Sequence, residues 1–228
     1  MRNAIAIIPA RGGSKRIPRK NIKPFVGKPA IGWPIAAAQA SGLFERIVVT
    51  TDDPEIADTA RALGAEVPFL RDPALSDDHT GTTEVIRDAV TRLDLPADTP
   101  VCCIYATALL LDPEALQEGA ALLRAGAKWV LSVGRYATPI ERAYRLRNGE
   151  LRPDRPEAMP MRSQDLEPAY FDVGQFYWAS AATWSDPMAR VWDGAAGVEI
   201  PPERAVDIDT PDDWARAERM FALLEHSK

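Results

Sequence analysis

Long hydrophobic runs are absent from the 228-residue sequence, and none approaches the roughly 20 apolar residues of a membrane span. The first residues, Met1-Arg2-Asn3 and a short apolar run, show no signal-peptide pattern. Hydrophobic residues still make up 46% of the chain, which is enough for a sizeable core. We therefore expect a soluble, cytoplasmic globular protein with no membrane partner.

Cysteine and histidine are scarce, with two residues of each. Cys102 and Cys103 are adjacent within an apolar run, which excludes a loop-closing disulfide between them and fits two small buried side chains. His79 and His226 are isolated in the sequence. A cysteine–histidine zinc site is therefore excluded, and any bound metal must be held mainly by oxygen ligands, as Mg²⁺ is.

Acidic residues are missing from one stretch of an otherwise acidic protein. The net charge of −6 argues against a general nucleic-acid-binding surface, so no nucleic-acid partner is expected. Yet residues 11–28 carry seven cations, namely Arg11, Lys15, Arg16, Arg19, Lys20, Lys23 and Lys28. This concentration predicts an anion-binding site. A solvated basic loop or tail is the alternative, but the glycines and prolines in this stretch favour a structured loop.

Apolar runs of strand length alternate with helical patterns along the chain. Helices are predicted after the Asp-Pro pairs at 53–54 and 112–113, and a capping box at 210–213 starts a final helix. The alternation predicts an α/β fold, with a mainly parallel, doubly wound sheet. Ligands of such sheets bind at the carboxyl ends of the strands, and the basic loop follows the first strand. The predicted strands are 4–10, 47–51, 67–70, 101–106, 129–133 and 173–179.

Residues 135–172 break this alternation. They contain five prolines and many charges, but also enough large apolar side chains to disfavour disorder. The alternatives are a disordered segment and a protruding arm that docks onto a partner subunit, and we favour the arm. The prediction is an α/β domain made of residues 1–134 and 173–228, with 135–172 inserted as the dimerisation arm of a homodimer.

The basic loop matches neither of the common phosphate-binding motifs. The sequence contains no GxGxxG, and Pro29 follows Gly27-Lys28 where a Walker A motif has serine or threonine. Two consecutive glycines still allow backbone N–H groups to approach a phosphate chain closely. Guanidinium, ammonium and amide groups flank them as potential ligands. The candidates are Arg11, Gly12, Gly13, Lys15, Lys20 and Asn21.

Asp207 and Asp209 lie two residues apart on an extended segment, so both carboxylates face the same way. Two converging anions repel one another unless a cation lies between them, and Mg²⁺ shared with a triphosphate meets that need. The alternative, a helix-capping role, is weakened because Thr210 already occupies the cap position. Further candidates for substrate contact follow or interrupt predicted strands: Asp52, Arg71, Tyr105, Thr107 and Gln175.

The run Ile8-Pro-Ala-Arg-Gly-Gly-Ser-Lys-Arg-Ile-Pro-Arg-Lys-Asn-Ile22 resembles the acylneuraminate cytidylyltransferase family. The likeness extends nearly end to end, through the segments 50–52, 69–71, 75–78, 104–107 and 207–211. Within the family, the segments 105–107, 162–166 and 174–178 are most similar to members that use pseudaminic acid.

The resemblance implies a nucleotide-diphospho-sugar transferase-like fold and a Mg²⁺-dependent reaction of CTP with an acidic nonulosonic sugar, giving a CMP-sugar and pyrophosphate. It implies metal binding by Asp207 and Asp209, and a cytidine contact from Arg71 and residues 77–82. Family members are dimers in which an arm of one subunit reaches the other's site. By position, the substrate ligands are Ala10, Arg11, Gly12, Gly13, Ser14, Lys15, Lys20, Asn21, Arg71, Asp77, Thr82, Tyr105, Thr107 and Gln175, with Arg162 and Gln164 from the arm.

In the expected reaction, the sugar's anomeric hydroxyl attacks the α-phosphate of CTP in line. Positioning and cationic stabilisation by Arg11, Lys20 and Mg²⁺ then dominate catalysis. The candidate base is Asp209, with a metal-bound hydroxide as the alternative. The alternative acceptors are N-acetylneuraminic and legionaminic acid. Alternatives of other classes are a DxD-type glycosyltransferase, whose motif usually lies nearer mid-chain, and a non-catalytic nucleotide sensor.

Overall fold

The computed structural model describes residues 3–77 and 80–226. The strands of the central sheet are β1 (Ala4–Pro9), β4 (Phe44–Thr50), β5 (Pro100–Ile104), β6 (Trp129–Arg135), β9 (Tyr170–Ser180) and β10 (Ala195–Glu199). Within the described residues these six strands lie in the order β10-β6-β9-β5-β1-β4. Two short ladders pair β2 (Pro24–Phe25) with β3 (Lys28–Pro29), and β7 (Tyr144–Arg147) with β8 (Glu150–Pro153).

The sheet is mainly parallel, as the alternation of elements predicted. β1 runs parallel to β4 and β5, and β10 runs parallel to β6. β9 runs antiparallel to both of its neighbours, β5 and β6. The chain reaches β9 from the segment 136–169 rather than through a crossover helix, so the usual constraint toward parallel pairing does not apply to it.

The helices are α1 (Gly32–Ser41), α2 (Pro54–Ala62), α3 (Thr82–Arg92), α4 (Pro113–Arg124), α5 (Ala181–Ser185) and α6 (Pro211–His226). Three of the helices, α2, α4 and α6, begin where their capping residues predicted. Asp53 and Asp112 accept hydrogen bonds from backbone N–H groups in the first turns of α2 and α4. The capping box of α6 is confirmed, because Thr210 and Asp213 exchange side-chain and backbone hydrogen bonds at 2.8 and 3.2 Å.

Helices cover both faces of the sheet. Consecutive residues of the central strands enter opposite cores, as Cys102 and Cys103 do, and both thiols are free and fully buried. α1, α2 and α4 pack on one face, and α3 and α5 on the other. A third cluster joins α6 to Phe25, Leu110 and Ile208. The doubly wound arrangement places the loops after β1 and β5 at the same edge of the sheet.

One strand prediction was wrong, and one strand of the central sheet was missed. Residues 67–70 form no regular strand in the described structure; isolated bridges flank them at Glu66 and Leu70. Pro68 lacks the N–H group that a ladder needs at this point. β10 was not predicted, because the segment Ala195–Glu199 contains two alanines and a glycine and lacks the β-branched run that marks a strand.

Residues 136–169, called the arm segment below, lie between β6 and β9. Their hairpin of β7 and β8 turns at Asn148 and Gly149, both of which have positive φ (51° and 83°), as an Asn-Gly hairpin turn requires. Three short 3₁₀ turns complete the segment, Ile140–Arg142, Pro156–Ala158 and Ser163–Asp165. Among the helices that the structure describes, none has the length and apolarity needed to cross a bilayer.

Candidate functional site

A pocket of about 360 Å³ opens over the carboxyl ends of β1 and β5. Its size is within the usual range for sites that bind small molecules. The described residues that line it are Pro9, Arg11, Ser14, Lys15, Arg16, Ile17, Lys20, Asn21, Arg71, Leu75, Asp77, Thr80, Thr82, Val85, Tyr105, Ala106, Thr107 and Asp209. Residues that are far apart in sequence therefore meet here, and most of the predicted ligands are among them.

The remaining predicted ligands lie beside the pocket or away from it. Ala10, Gly12 and Gly13 belong to the basic loop without lining the cavity, and Asp207 lies two residues before Asp209, which does line it. Asp78 and His79, within the predicted cytidine region 77–82, lie outside the described residues. Lining residues that the sequence did not single out as ligands include Arg16, Ile17, Thr80 and Val85.

Hydrogen bonds from backbone N–H groups fix the loop after β1 to the end of β4 and to Asp52, which follows β4. The N–H of Ala10 donates to the carbonyl of Thr50 at 3.0 Å, and the N–H of Gly12 donates to Asp52 Oδ1 at 3.1 Å. Asn21, which is nearly buried, donates its amide to the carbonyl of Arg11 at 2.9 Å. The structure thus places the Asn21 amide on the loop itself, where it holds the chain in position.

A charged cluster anchors the far end of the same loop, and the sequence gave no sign of it beyond the cap at Asp53. Arg19 donates hydrogen bonds to Asp53 and Glu55, at the start of α2. The hydrogen bond from Arg19 holds the pKa of Asp53 below its usual value. Arg19 also adopts a positive φ of 55°, a strained conformation for a side chain of its size. The cluster therefore ties the loop to α2.

Arg71 is a buried cation that spans the base of the pocket. Its guanidinium donates to Ser76 Oγ at 3.0 Å and to the carbonyl of Thr50 at 3.4 Å, and it lies 3.6 Å from Asp52. Burial lowers the pKa of Arg71, while the carboxylate of Asp52 opposes that shift. Asp52 thus contacts both Arg71 and the N–H of Gly12, which links Arg71 to the basic loop.

The acidic segment, residues 207–209, contacts the basic loop directly at the wall of the pocket. Lys20 Nζ donates to the carbonyl of Ile208 at 2.5 Å and lies 3.7 Å from Asp209 Oδ1. Arg16 forms an ion pair with the same carboxylate oxygen of Asp209 at 2.7 Å. Burial lowers the pKa of Lys20, and the nearby aspartates oppose the shift. The arrangement places a cation-rich wall against a carboxylate, as a triphosphate with a metal ion requires.

The residues present fit a hard cation at this acidic segment. Burial, and then the neighbouring Asp209, raise the pKa of Asp207. Negative charge on both carboxylates is therefore costly, and a cation placed between them would relieve that cost. Within the described residues no group of three or more histidine, cysteine or acidic side chains forms a ready-made metal site. A metal here thus needs further oxygen ligands, which phosphate groups supply.

The prediction that Gln175 contacts substrate is not supported by its position. The side chain is buried, its Nε2 donates to the carbonyl of Arg204 at 2.6 Å, and it is not among the described residues that line the pocket. Gln175 is buried between the sheet and the segment that leads to Asp207. Arg162 and Gln164 are exposed in the arm segment and do not line the described pocket of their own chain.

A chain of hydroxyl groups borders the pocket beside β5. The hydroxyl of Tyr105 lies 3.1 Å from Thr82 Oγ1, and both residues line the pocket. The ring of Tyr105 contacts that of Tyr177, with centroids 5.6 Å apart, and Tyr177 donates its hydroxyl to Asp172. Tyr177 and Asp172 were not predicted to belong to the site, because nothing in the sequence brings them next to Tyr105.

Comparison with known proteins finds similarity to one protein family and to nearly full-length relatives. The family model described as cytidylyltransferase matches residues 5–148. A pseudaminic acid cytidylyltransferase of Campylobacter jejuni is 37% identical over 227 residues, which cover 98% of each chain. A CMP-N,N'-diacetyllegionaminic acid synthase of Legionella pneumophila is 31% identical, also over 98% of each chain.

A solved structure agrees in fold. The CMP:2-keto-3-deoxy-manno-octonic acid synthetase complexed with CTP matches with a TM-score of 0.72, at 17% identity, over 97% of this chain and 99% of its own. At that identity the likeness concerns the fold alone. The family match and the nearly full-length identity to curated relatives confirm the resemblance found in the sequence, and the chain belongs to the cytidylyltransferase family.

Proposed function

We propose that this protein transfers the cytidylyl group of CTP to a nonulosonic acid, with pseudaminic acid as the acceptor, and releases pyrophosphate. One observation carries the proposal: in a chain of the cytidylyltransferase family, the residues of a basic loop and Asp209 line one pocket of about 360 Å³. The name of the relative from Campylobacter jejuni supports pseudaminic acid as the acceptor. The solved synthetase complexed with CTP supports the nucleotide.

The reaction joins the acceptor's anomeric oxygen to the α-phosphorus of CTP and breaks the bond from that phosphorus to the bridging oxygen of the β-phosphate. Negative charge grows on the departing pyrophosphate, so fixed cations near it lower the barrier. Arg11, Lys15 and Lys20 supply them. Lys20 is held by the carbonyl of Ile208, so its ammonium needs little reorganisation during the reaction. Asp209 accepts the proton that the acceptor hydroxyl loses.

Mg²⁺ fits this proposal as the cofactor. Asp207 and Asp209 would hold it, as the raised pKa of Asp207 beside Asp209 supports. When bound, the ion would neutralise phosphate charge during transfer. The protein's own contribution is to keep the two carboxylates on one side of the pocket, because Ile208 between them is buried in the third core cluster.

We also propose a cytoplasmic homodimer in which the arm segment docks onto a second copy. Its hairpin exposes large apolar side chains, Tyr144, Leu146 and Leu151, which lie on the surface of the single chain. Exposed apolar clusters of this kind are typical of protein interfaces. In the dimer, Arg162 and Gln164 of one protomer would enter the acceptor side of the other's pocket. This arrangement accounts for two predicted ligands that do not line the described pocket of their own chain.

Pyrophosphate release tests the function directly. The protein is incubated with Mg²⁺ and CTP, and with pseudaminic, legionaminic or N-acetylneuraminic acid in turn; UTP and ATP replace CTP as controls. We expect the highest kcat/KM with CTP and pseudaminic acid. A higher kcat/KM with legionaminic acid would make that acid the acceptor, and the cytidylyltransferase activity would stand. Binding of CTP in calorimetry without release from any acid would identify a nucleotide sensor. Glycoside formation from a CMP-sugar without CTP would identify a glycosyltransferase.

A further inference from the structure

Hydrogen bonds and ring contacts lead from the pocket wall to a carboxylate at the start of β9. Tyr105 lines the pocket, with its hydroxyl 3.1 Å from Thr82 Oγ1. Its ring packs against that of Tyr177, with centroids 5.6 Å apart. Tyr177 is nearly buried and donates its hydroxyl to Asp172 Oδ2 at 2.5 Å. The four side chains thus connect the pocket to the strand that returns from the arm segment.

The carboxylate of Asp172 accepts two hydrogen bonds, one from a side chain and one from the backbone. Its Oδ2 accepts the hydroxyl of Tyr177, and its Oδ1 accepts the N–H of Gly174 at 2.9 Å. Gly174 has a positive φ of 68°, and a Cβ added there would lie 3.4 Å from the ring of Tyr105. The pairing of β9 with β6 shifts register next to this point, between Leu131 and Val133 of β6. The carboxylate therefore fixes the irregular backbone of β9 together with the Tyr177 phenol.

The position of these residues assigns them to one side of the pocket. The phosphate loop follows β1 and is anchored to β4 and α2 through Asp52 and Asp53. β9 lies on the opposite side of β5 from β1. If the triphosphate binds the basic loop, the space that remains for the acceptor lies on the β9 side of the pocket. Tyr105 forms the wall on that side. The arm segment joins β9 on this same side.

We propose that Asp172 is a positioning residue for the acceptor, acting through Tyr177 on Tyr105. The inference rests on the proposed function and adds to it two residues that do not line the described pocket. A carboxylate is a stronger hydrogen-bond acceptor than a neutral group, so it orients a buried phenol well. Burial raises the pKa of both Tyr105 and Tyr177. Both phenols therefore keep their protons at neutral pH, and Tyr177 remains a hydrogen-bond donor to Asp172.

Two single variants and their combination test the inference. Tyr177→Phe removes the hydroxyl and keeps the ring, while Asp172→Asn leaves one acceptor oxygen for two donors. We expect each to raise the KM for the acceptor acid about tenfold, as loss of a hydrogen bond to a charged group does. kcat and the KM for CTP should stay within about twofold of wild type. The double variant should resemble the more affected single variant, because both act through one contact.

Asp58→Asn is the matched control, because it removes a carboxylate charge from an exposed ion pair with Arg61 on α2. It should leave all three constants unchanged. Thermal melting of each variant identifies any loss of folding. Additive effects of Tyr177→Phe and Asp172→Asn, or an equal rise in the KM for CTP, would overturn the inference. Unchanged KM values in an otherwise active series would overturn it too and leave the proposed function standing. A wild type inactive with every acid would overturn both.

Discussion

Gly12 is the position where a single added carbon should do most harm to the phosphate loop. A Cβ built on Gly12 would lie 2.5 Å from Asp53 Oδ2 and 3.0 Å from Asp53 Cβ. Asp53 has little freedom to move away, since it caps α2 and binds Arg19. Gly13 is the matched control, because no described atom lies within 4 Å of a Cβ added there.

The size of the effect follows from the displacement. An ordinary contact begins at 3.4 Å, so the new methyl group of Gly12→Ala must move by about 0.9 Å. The loop moves with it and weakens the hydrogen bond from the N–H of Gly12 to Asp52, now 3.1 Å long. A displacement of about 1 Å in a reacting group costs on the order of a hundredfold in rate. We therefore expect Gly12→Ala to lower kcat/KM for CTP by about that factor.

Pyrophosphate release with saturating acceptor and varied CTP measures the effect, with calorimetric titration of CTP alongside it. Gly13→Ala should lose less of kcat/KM for CTP than Gly12→Ala, because a Cβ at Gly13 would meet none of the surrounding protein atoms within 4 Å. Thermal melting separates loop displacement from global unfolding. Equal losses in the two variants, or wild-type kinetics in Gly12→Ala, would refute the steric reasoning.

Three further predictions concern the acidic segment, the last helix and the arm segment. Asp209→Asn should abolish turnover at limiting Mg²⁺ with an unchanged melting temperature; near-normal activity there would rule out the metal assignment. Asp213→Ala should lower the free energy of unfolding by about 1 kcal/mol at pH 7, measured in urea, because it removes half of the capping box. Hydrogen bonds from Thr210 hold the pKa of Asp213 below its usual value. Its contribution is therefore present above about pH 4 and is lost as the pH falls through the folded-state pKa, so the two proteins should converge in acid. Leu146→Asp, at an exposed apolar side chain of the arm hairpin, should shift the mass in light scattering from dimer to monomer; an unchanged mass would contradict the docking proposal.

The sequence predicted the starts of three helices correctly because capping residues determine them locally. The Asp-Pro caps of α2 and α4 and the capping box of α6 depend on side chains close in sequence, and each stands where predicted. The strand at 67–70 failed for an equally local reason, the proline at position 68. β10 was not predicted because its strand conformation depends on pairing with β6, which lies more distant in the sequence.

The basic loop and the acidic pair were recognisable as parts of one pocket because charge and spacing mark them in the sequence. The anchors of the site carry no such mark. Arg19 reaches Asp53 across 34 residues, and Lys20 reaches Ile208 across 188. Gln175 shows the same limit: a polar residue in an apolar strand suggests a ligand, and only the structure shows that its amide donates to a backbone carbonyl of a distant segment. Only the folded chain reveals which polar groups satisfy each other.

The antiparallel pairing of β6 with β9 also determines how the arm segment is attached. Arg135 and Tyr170, which flank it, are paired neighbours in the sheet. The 34 residues between them thus begin and end at adjacent points, like a long hairpin loop. Loop closure depends only weakly on length, so this part of the chain can lengthen, shorten or change its tip with little demand on the sheet. The sheet that carries the pocket is therefore structurally independent of the length and sequence of the arm segment.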